Sequence, residues 1–303
     1  MSVGALLADP SIEIVLNLTP PMVHATVTLG AIAAGKHVYT EKPFATSRDD
    51  AREILATADA AGVRIGGAPD TFLGGGLQAA RGSIDDGEIG DPVMANAAVL
   101  HLGPERWHPN PAFFYARGGG PLLDVGPYYV AALVHLLGPI VAVSAVARGV
   151  GGERRIATGP RAGASFPVEA STSVVAAYTF ASGAIGGLMA SFDVVGSTSP
   201  HIEIHGTTGS LELGDPNTFD GHVRRHRIDG DRWEDNPLHP GGGVGRGVGL
   251  ADMIEAIREG RPTRASGVFA YHVLDVLLAT EEAAAAGGTV AIESTCERPA
   301  ALP

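Results

Sequence analysis

The sequence predicts two units. Residues 1–72 read as an α/β domain with a doubly wound parallel sheet, and residues 73–303 as an α+β domain with helices on a mostly antiparallel sheet. Three observations carry this. A chain of 303 residues suggests two cores. Residues 11–68 alternate strand and helix patterns with short connections, the β-α-β-α-β signature of a parallel sheet. From Val93 the pattern changes to strand-like runs divided by Gly, Pro, Asn and Asp.

Residues 11–19 (SIEIVLNLT) form a β-branched run, apolar on both faces as a buried parallel strand requires, and Pro20 and Pro21 end it. Pro21 opens a helix, where its missing N–H costs nothing, and Gly35 closes it. Residues 36–40 (KHVYT) are the second strand; Glu41, Lys42 and Pro43 end it, because the residue before a proline is pushed toward extended geometry. Ser47 caps a helix, RDDAREILATADAA, that Gly62 stops, and residues 63–68 are the third strand. In such sheets ligands bind beyond the carboxyl ends of the strands. Pro20, Pro21, His24, Glu41, Lys42 and Pro43 all fall there.

After Gly74 a helix carries Leu77, Ala80 and Ile84 on one face and stops near Gly87. Strands of the second unit are expected at 141–148, 172–180, 184–193, 201–205, 209–213 and 222–228, with hairpin turns at Ser182-Gly183 and Asp229-Gly230. Helices follow Tyr128 and span 248–259 and 268–286. Between them, residues 118–129 read GGGPLLDVGPYY. Three glycines permit a tight approach, and the four-residue spacing sets Asp124 and Tyr128 one above the other on a helical face. An acid and a phenol so placed are a proton-handling pair or the start of a capped core helix.

Composition narrows the function. A net charge of −12 and a pI near 5.3 argue against nucleic acid and anionic membrane surfaces, and favour a small-molecule substrate. Cys296 is the single cysteine, so there is no internal disulfide and no zinc cluster, which suits a reducing cytoplasm. Every apolar run breaks short of a membrane span, and Asp9, Pro10 and Glu13 interrupt any signal peptide.

TPPMVH at 19–24, EKP at 41–43 after a strand, DDGEIGDPV at 85–93, GGGPLLDVGPYYV at 118–130 and HGTTGSLEL at 205–213 occur in a specific order and spacing. Together they resemble the Gfo/Idh/MocA family of NAD(P)-dependent oxidoreductases. The resemblance implies a partial Rossmann domain ahead of the open-faced sheet, and NAD or NADP as cofactor. It also implies a sugar- or cyclitol-class substrate and a homo-oligomer through the C-terminal sheet. It places Lys42 between nicotinamide and substrate, Pro43 after a cis bond and His24 near the nicotinamide, and it makes Asp124 the active-site acid. Thr19, Pro20, Pro21 and Glu41 complete the cofactor side. Where many members carry histidine four residues after the acid, this chain has Tyr128, as the glucose-fructose oxidoreductase branch does. A phenol is ordinarily a poor base at neutral pH, and a neighbouring ammonium favours its phenolate; Lys42 is the expected ammonium. Tyr128 would then take the substrate hydroxyl proton, with Lys42 stabilising the alkoxide, Asp124 orienting substrate or tyrosine, and hydride passing to the nicotinamide. Trp107, His108 and Arg117, with Phe113 and Phe114, lead into the glycine turn and are expected on the substrate side; they read equally as core aromatics and an exposed arginine.

The G-x-G-x-x-G fingerprint after the first strand is absent. Family members carry it ahead of the region matched here, so about two βα units, roughly 60 residues, are expected to be missing. The residue that separates NAD from NADP goes with them. The chain is then either a dehydrogenase whose start lies upstream of Met1 or a binding or regulatory remnant, and the intact Lys42, Asp124 and Tyr128 favour the first. Redox-assisted elimination or glycoside cleavage is a third course on the same scaffold. Gly74, Gly76 and Ala79 spell G-x-G-x-x-A, but no acid stands at the offset that a ribose would need. The glycines of 241–249 read as a loop, Arg224, Arg225 and Arg227 as a solvated face, and His201, His205, His222 and His226 as structural, with no metal expected.

Overall fold

Short β-branched runs between glycine and proline stops build the first layer. The computed structural model describes residues 2–149, 151–239 and 244–303. Helix α1 (Val3–Ala8) precedes β1 (Ile14–Asn17), α2 (His24–Ala33), β2 (His37–Thr40), α3 (Arg48–Ala61) and β3 (Ile65–Gly67). The three strands are parallel, in the order β1-β2-β3. Ser47 caps α3 through the Asp50 N–H (3.1 Å), and Gly62 stops it at a φ of 64°. Each strand is shorter than its apolar run, because only the inner residues meet a partner. Helix α1 escaped prediction: it holds no buried residue, so no apolar period marks it.

The second layer begins with α4 (Gly75–Asp85), β4 (Pro92–Leu100), α5 (Gly120–Asp124), α6 (Gly126–Leu137) and β5 (Ile140–Arg148). A small hairpin, β6 (Glu153–Arg155) and β7 (Ser165–Pro167), stands apart. Then come β8 (Ser173–Phe180), β9 (Ile185–Ser191), β10 (Ile202–Gly206), β11 (Gly209–Leu213), β12 (Val223–Arg227), β13 (Glu234–Asn236), α7 (Val248–Glu259), α8 (Gly267–Ala286) and β14 (Thr289–Ala291). Nine strands form one sheet in the order β13-β12-β11-β10-β4-β9-β8-β5-β14. Its neighbours are antiparallel except β4 and β9, which run parallel along Met94–Leu100 and Ile185–Ser191.

Helix α6 is buried from end to end and packs with α8 against one face, where Tyr178, Leu188 and Ile204 point inward. The opposite face lies open, with Val146, Val175 and Ile185 each more than half exposed. Helix α8 also returns to the first layer. Its Ala270, Tyr271 and Leu274 join the core of Val15, Val38 and Ile54, and its Asp275, wholly buried, holds Arg48 of α3 at 2.5 Å. One helix therefore fixes the parallel sheet against the large one, and with it the loop after β2 against α5. Among the described residues no helix is long and apolar enough to cross a membrane.

Candidate active site

The loop after β2 carries Lys42 toward the second layer. The Lys42–Pro43 peptide is cis, and the Glu41 carboxylate accepts the Lys42 backbone N–H at 2.8 Å. The Lys42 ammonium donates to the Asp124 carboxylate at 2.8 Å and to the Asp124 carbonyl at 2.6 Å, and lies 5.7 Å from the centre of the Tyr128 ring. Lys42, 82 residues before Asp124 in sequence, thus meets Asp124 and Tyr128 where the two layers face each other. The lysine and carboxylate are 18% and 27% exposed, so the pair is reachable from solvent and is partly screened.

Asp124 and Tyr128 do not share one helix, contrary to the four-residue spacing. Helix α5 ends at Asp124 and α6 starts at Gly126. Pro127 has no N–H to give and its ring crowds the carbonyl four residues back, so the helix breaks at Val125 and restarts. The Tyr128 N–H closes the restart on the Val125 carbonyl at 3.1 Å. Asp124 is thereby left to Lys42, and Tyr128 faces a second cation.

That cation is Arg246, just ahead of α7. One of its terminal nitrogens, Nη1, donates to the Tyr128 hydroxyl at 3.2 Å and the other, Nη2, to the Asn217 side-chain carbonyl at 2.8 Å. The guanidinium carbon lies 5.2 Å from the Tyr128 ring centre and 5.9 Å from that of Phe219. Reading the glycine run as a loop passed over this residue; the signal was a lone cation in an otherwise uncharged glycine-rich stretch. Residues 241–243 of that run lie outside the described residues.

The side chains expected to meet a cofactor mostly brace the protein. His24 is 1% exposed, and its ring nitrogens face the carbonyls of Thr19 at 2.6 Å and Pro43 at 2.8 Å, pinning the loop after β1 to the loop after β2. The Thr19 hydroxyl donates to Asn17 at 2.6 Å, and Asn17 donates to the His24 carbonyl at 3.1 Å. Pro20, Pro21 and Met22 remain exposed beside Lys42's loop as an apolar shelf.

Residues 104–117 approach α5 along two short helical turns. Trp107 is 62% exposed, and His108 packs edge-on against Trp107, Phe113 and Phe114. Arg117 is exposed, and its backbone N–H donates to Glu169 at 3.3 Å. Among the described residues, no hydrogen bond, ion pair or ring contact joins this group to Lys42, Asp124 or Tyr128.

The remaining candidates resolve into structure. A side chain at Gly74 or Gly76 would run into the backbone of Phe219 or Gly221, so these glycines let α4 press against a loop and do not open onto a ligand. Burial pushes the Cys296 thiol up to about 12, which leaves no thiolate nucleophile. Arg224 and Arg225 pair with Glu212 and Glu88 rather than standing in solvent. His222 lies 3.4 Å from Glu212 and so has the carboxylate neighbour that the sequence did not reveal. Among the described residues no three metal-ligating groups converge.

Known proteins bear on this arrangement. Residues 1–67 match a family model described as oxidoreductase family, NAD-binding Rossmann fold, and residues 77–212 match one described as GFO/IDH/MocA C-terminal domain. The chain is 36% identical over 127 residues to 1,5-anhydro-D-fructose reductase of Ensifer adhaerens, a match covering 41% of this chain and 37% of that enzyme. It is 25% identical over 316 residues to levoglucosan dehydrogenase of Pseudarthrobacter phenanthrenivorans, covering 93% of this chain and 80% of the other. An NAD binding oxidoreductase from Klebsiella pneumoniae superposes with a TM-score of 0.82 at 26% identity, over 95% of this chain and 82% of that one. With both of its domain models matched in order and the whole fold reproduced, the chain belongs to the Gfo/Idh/MocA oxidoreductase family.

Proposed function

We propose that the chain carries the proton-transfer and substrate side of an NAD(P)-dependent dehydrogenase acting on a hydroxyl or carbonyl of a sugar or cyclitol. The observation that carries this is the convergence of Lys42, Asp124 and Tyr128 at the carboxyl end of the parallel strands. The relatives named above are a reductase and a dehydrogenase of sugar derivatives.

In oxidation, the Tyr128 phenolate takes the proton of the substrate hydroxyl and becomes the phenol, and the Lys42 ammonium faces the substrate oxygen as it becomes an alkoxide. Asp124 neutralises and aims Lys42 and leaves its second carboxylate oxygen for a substrate hydroxyl. In reduction Tyr128 returns the proton. The bound nicotinamide supplies the hydride acceptor or donor. Residues 19–22 and 41–43 would hold its ring end: the exposed Pro20, Pro21 and Met22 offer an apolar face, and Lys42 stands beside it. The donor set fits that half. The sequence holds no glycine fingerprint for the pyrophosphate, so affinity for the whole dinucleotide is the first quantity to measure.

Titration with NADH and NADPH, followed by nicotinamide fluorescence and heat, is expected to saturate. A folded sample that binds neither would favour a binding or regulatory remnant instead. In a cofactor-binding form, Lys42→Ala and Tyr128→Phe should each lower turnover by about 10²- to 10⁴-fold while cofactor affinity changes much less; near-normal turnover in either sinks the assignment. We further propose that a second copy covers the open sheet face, and that the protein works in the reducing cytoplasm, a reading that its single, buried, unpaired cysteine supports.

A further inference from the structure

We propose that Arg246 is a positioning residue for Tyr128, fixing its hydroxyl oxygen and balancing the negative charge that this oxygen takes up when its proton leaves. The assignment rests on Tyr128 being the proton-transfer group.

The charges around Tyr128 divide unequally. The Lys42 ammonium spends two of its three donors on Asp124, and the carboxylate cancels most of its charge locally. It lies 5.7 Å from the Tyr128 ring centre, and among the described residues no hydrogen bond joins it to the Tyr128 oxygen. Arg246 has no carboxylate partner among the described residues; it meets the Tyr128 oxygen, the neutral Asn217 and two aromatic rings. Its charge is therefore unspent and sits at the atom where negative charge develops.

The hydrogen-bond geometry agrees. Arg246 can only donate, so the Tyr128 oxygen accepts, and the phenol's own O–H is left to point at a substrate oxygen. Removing that proton turns the Arg246 contact from a hydrogen bond to a neutral oxygen into one between opposite charges, with no rearrangement. The guanidinium is held before the reaction. The Asn217 backbone N–H donates to the Asp215 carboxylate at 2.9 Å, closing a turn that aims the Asn217 carbonyl at Arg246, while the Tyr128 and Phe219 rings flank the guanidinium. Loop 215–219 and the segment before α7 thus bring a fourth residue to a site that the sequence read from three.

The experiment is a double-mutant cycle on the cofactor-binding enzyme with Arg246→Gln, Arg246→Lys, Tyr128→Phe and the double variant Arg246→Gln/Tyr128→Phe. Arg246→Gln is expected to lower kcat about 10- to 100-fold with little change in KM, as for loss of a hydrogen bond to a charged group. Arg246→Lys should retain part of that activity, and in a further variant, Arg246→Ala, added guanidinium should restore part of it. In the Tyr128→Phe background, Arg246→Gln should cost nothing further, because the two act as a unit. Full kcat in Arg246→Gln, or losses that simply multiply, overturns the proposal. Near-normal turnover in Tyr128→Phe alone overturns the reading of Tyr128 instead, so the two failures are distinct. Arg246 is on an exposed segment, and circular dichroism of each variant checks that the fold is kept.

Discussion

His272 is wholly buried with both ring nitrogens engaged: Nε2 accepts the Ile140 N–H at 3.1 Å, and Nδ1 lies 2.9 Å from the Ser294 hydroxyl. A neutral ring with its hydrogen on Nδ1 satisfies both. A second proton at Nε2 would face another N–H. Burial pushes this imidazole down to about 4, outweighing the opposite pull of Asp275. The unfolded ring still takes a proton near its ordinary 6.5, so between about 6.5 and 4 the unfolded chain binds more protons than the folded one. Stability is therefore complete above about 6.5 and falls as pH drops toward 4, by about 3 kcal/mol over the window. Thermal melting across pH 4 to 8 should show this slope, and His272→Gln should flatten it even if its midpoint at neutral pH is lower; parallel curves for the two proteins would remove His272 as the cause. Titrating side chains of this kind are illegible in sequence, since burial decides them. Lys42, Asp124 and Tyr128 could be singled out as candidates because each sits in a short motif beside proline or glycine, and the fold brings them together. Arg246 could not, because a loop arginine acquires its meaning only from the side chain it meets.

Among the elements, α5 depends most on glycine. Gly120 takes a φ of 82°, and a Cβ there would lie 2.5 Å from the Ser171 carbonyl; Gly118 takes a φ of 83° with nothing within 4 Å. The two glycines share a backbone cost and differ in space. Gly118→Ala should lose about 1 kcal/mol to left-handed strain. Gly120→Ala should lose about 2 kcal/mol or more, and by displacing α5 should also draw Asp124 from Lys42. Denaturant unfolding gives the first comparison and turnover the second; equal losses in both variants would mean that the Ser171 contact is irrelevant. The glycine turn was plain in the sequence. The break at Val125 was not read, although Pro127 announced it, because a four-residue spacing was taken as a helical face before asking whether the helix could continue through a proline. Caps fared better: Ser47, Gly62 and Gly35 all act where they were placed, since each satisfies a local backbone requirement.

At the scale of the molecule, strand-like runs between turn residues foretold a mostly antiparallel sheet and the family resemblance its open face, but neither gave the order in which the strands lie. Local pattern gives each strand its two faces, while the insertion of β4 between β9 and β10 is settled by long-range pairing that no window of sequence contains. That insertion assembles the exposed face. Val146 of β5 pairs with Val175 of β8, Val175 with Met189 of β9, and Ile185 of β9 with Met94 of β4, so five apolar side chains run across four strands. Beyond them Glu203, Glu212 and Arg224 make the same face polar. Apolar side chains gathered on one open sheet face are costly to leave in water, and a self-complementary face is the simplest cover for them. A second copy is therefore expected on this face, held at micromolar concentration or below. Light scattering coupled to size exclusion should report a multiple of the 30.9 kDa chain mass, and Val175→Lys with Met189→Lys should reduce it to one chain while leaving the circular dichroism of the fold intact. A single-chain mass for the unaltered protein at high concentration, or an unchanged assembly in the lysine variant, would move the interface elsewhere and leave these apolar side chains to be explained by a different partner.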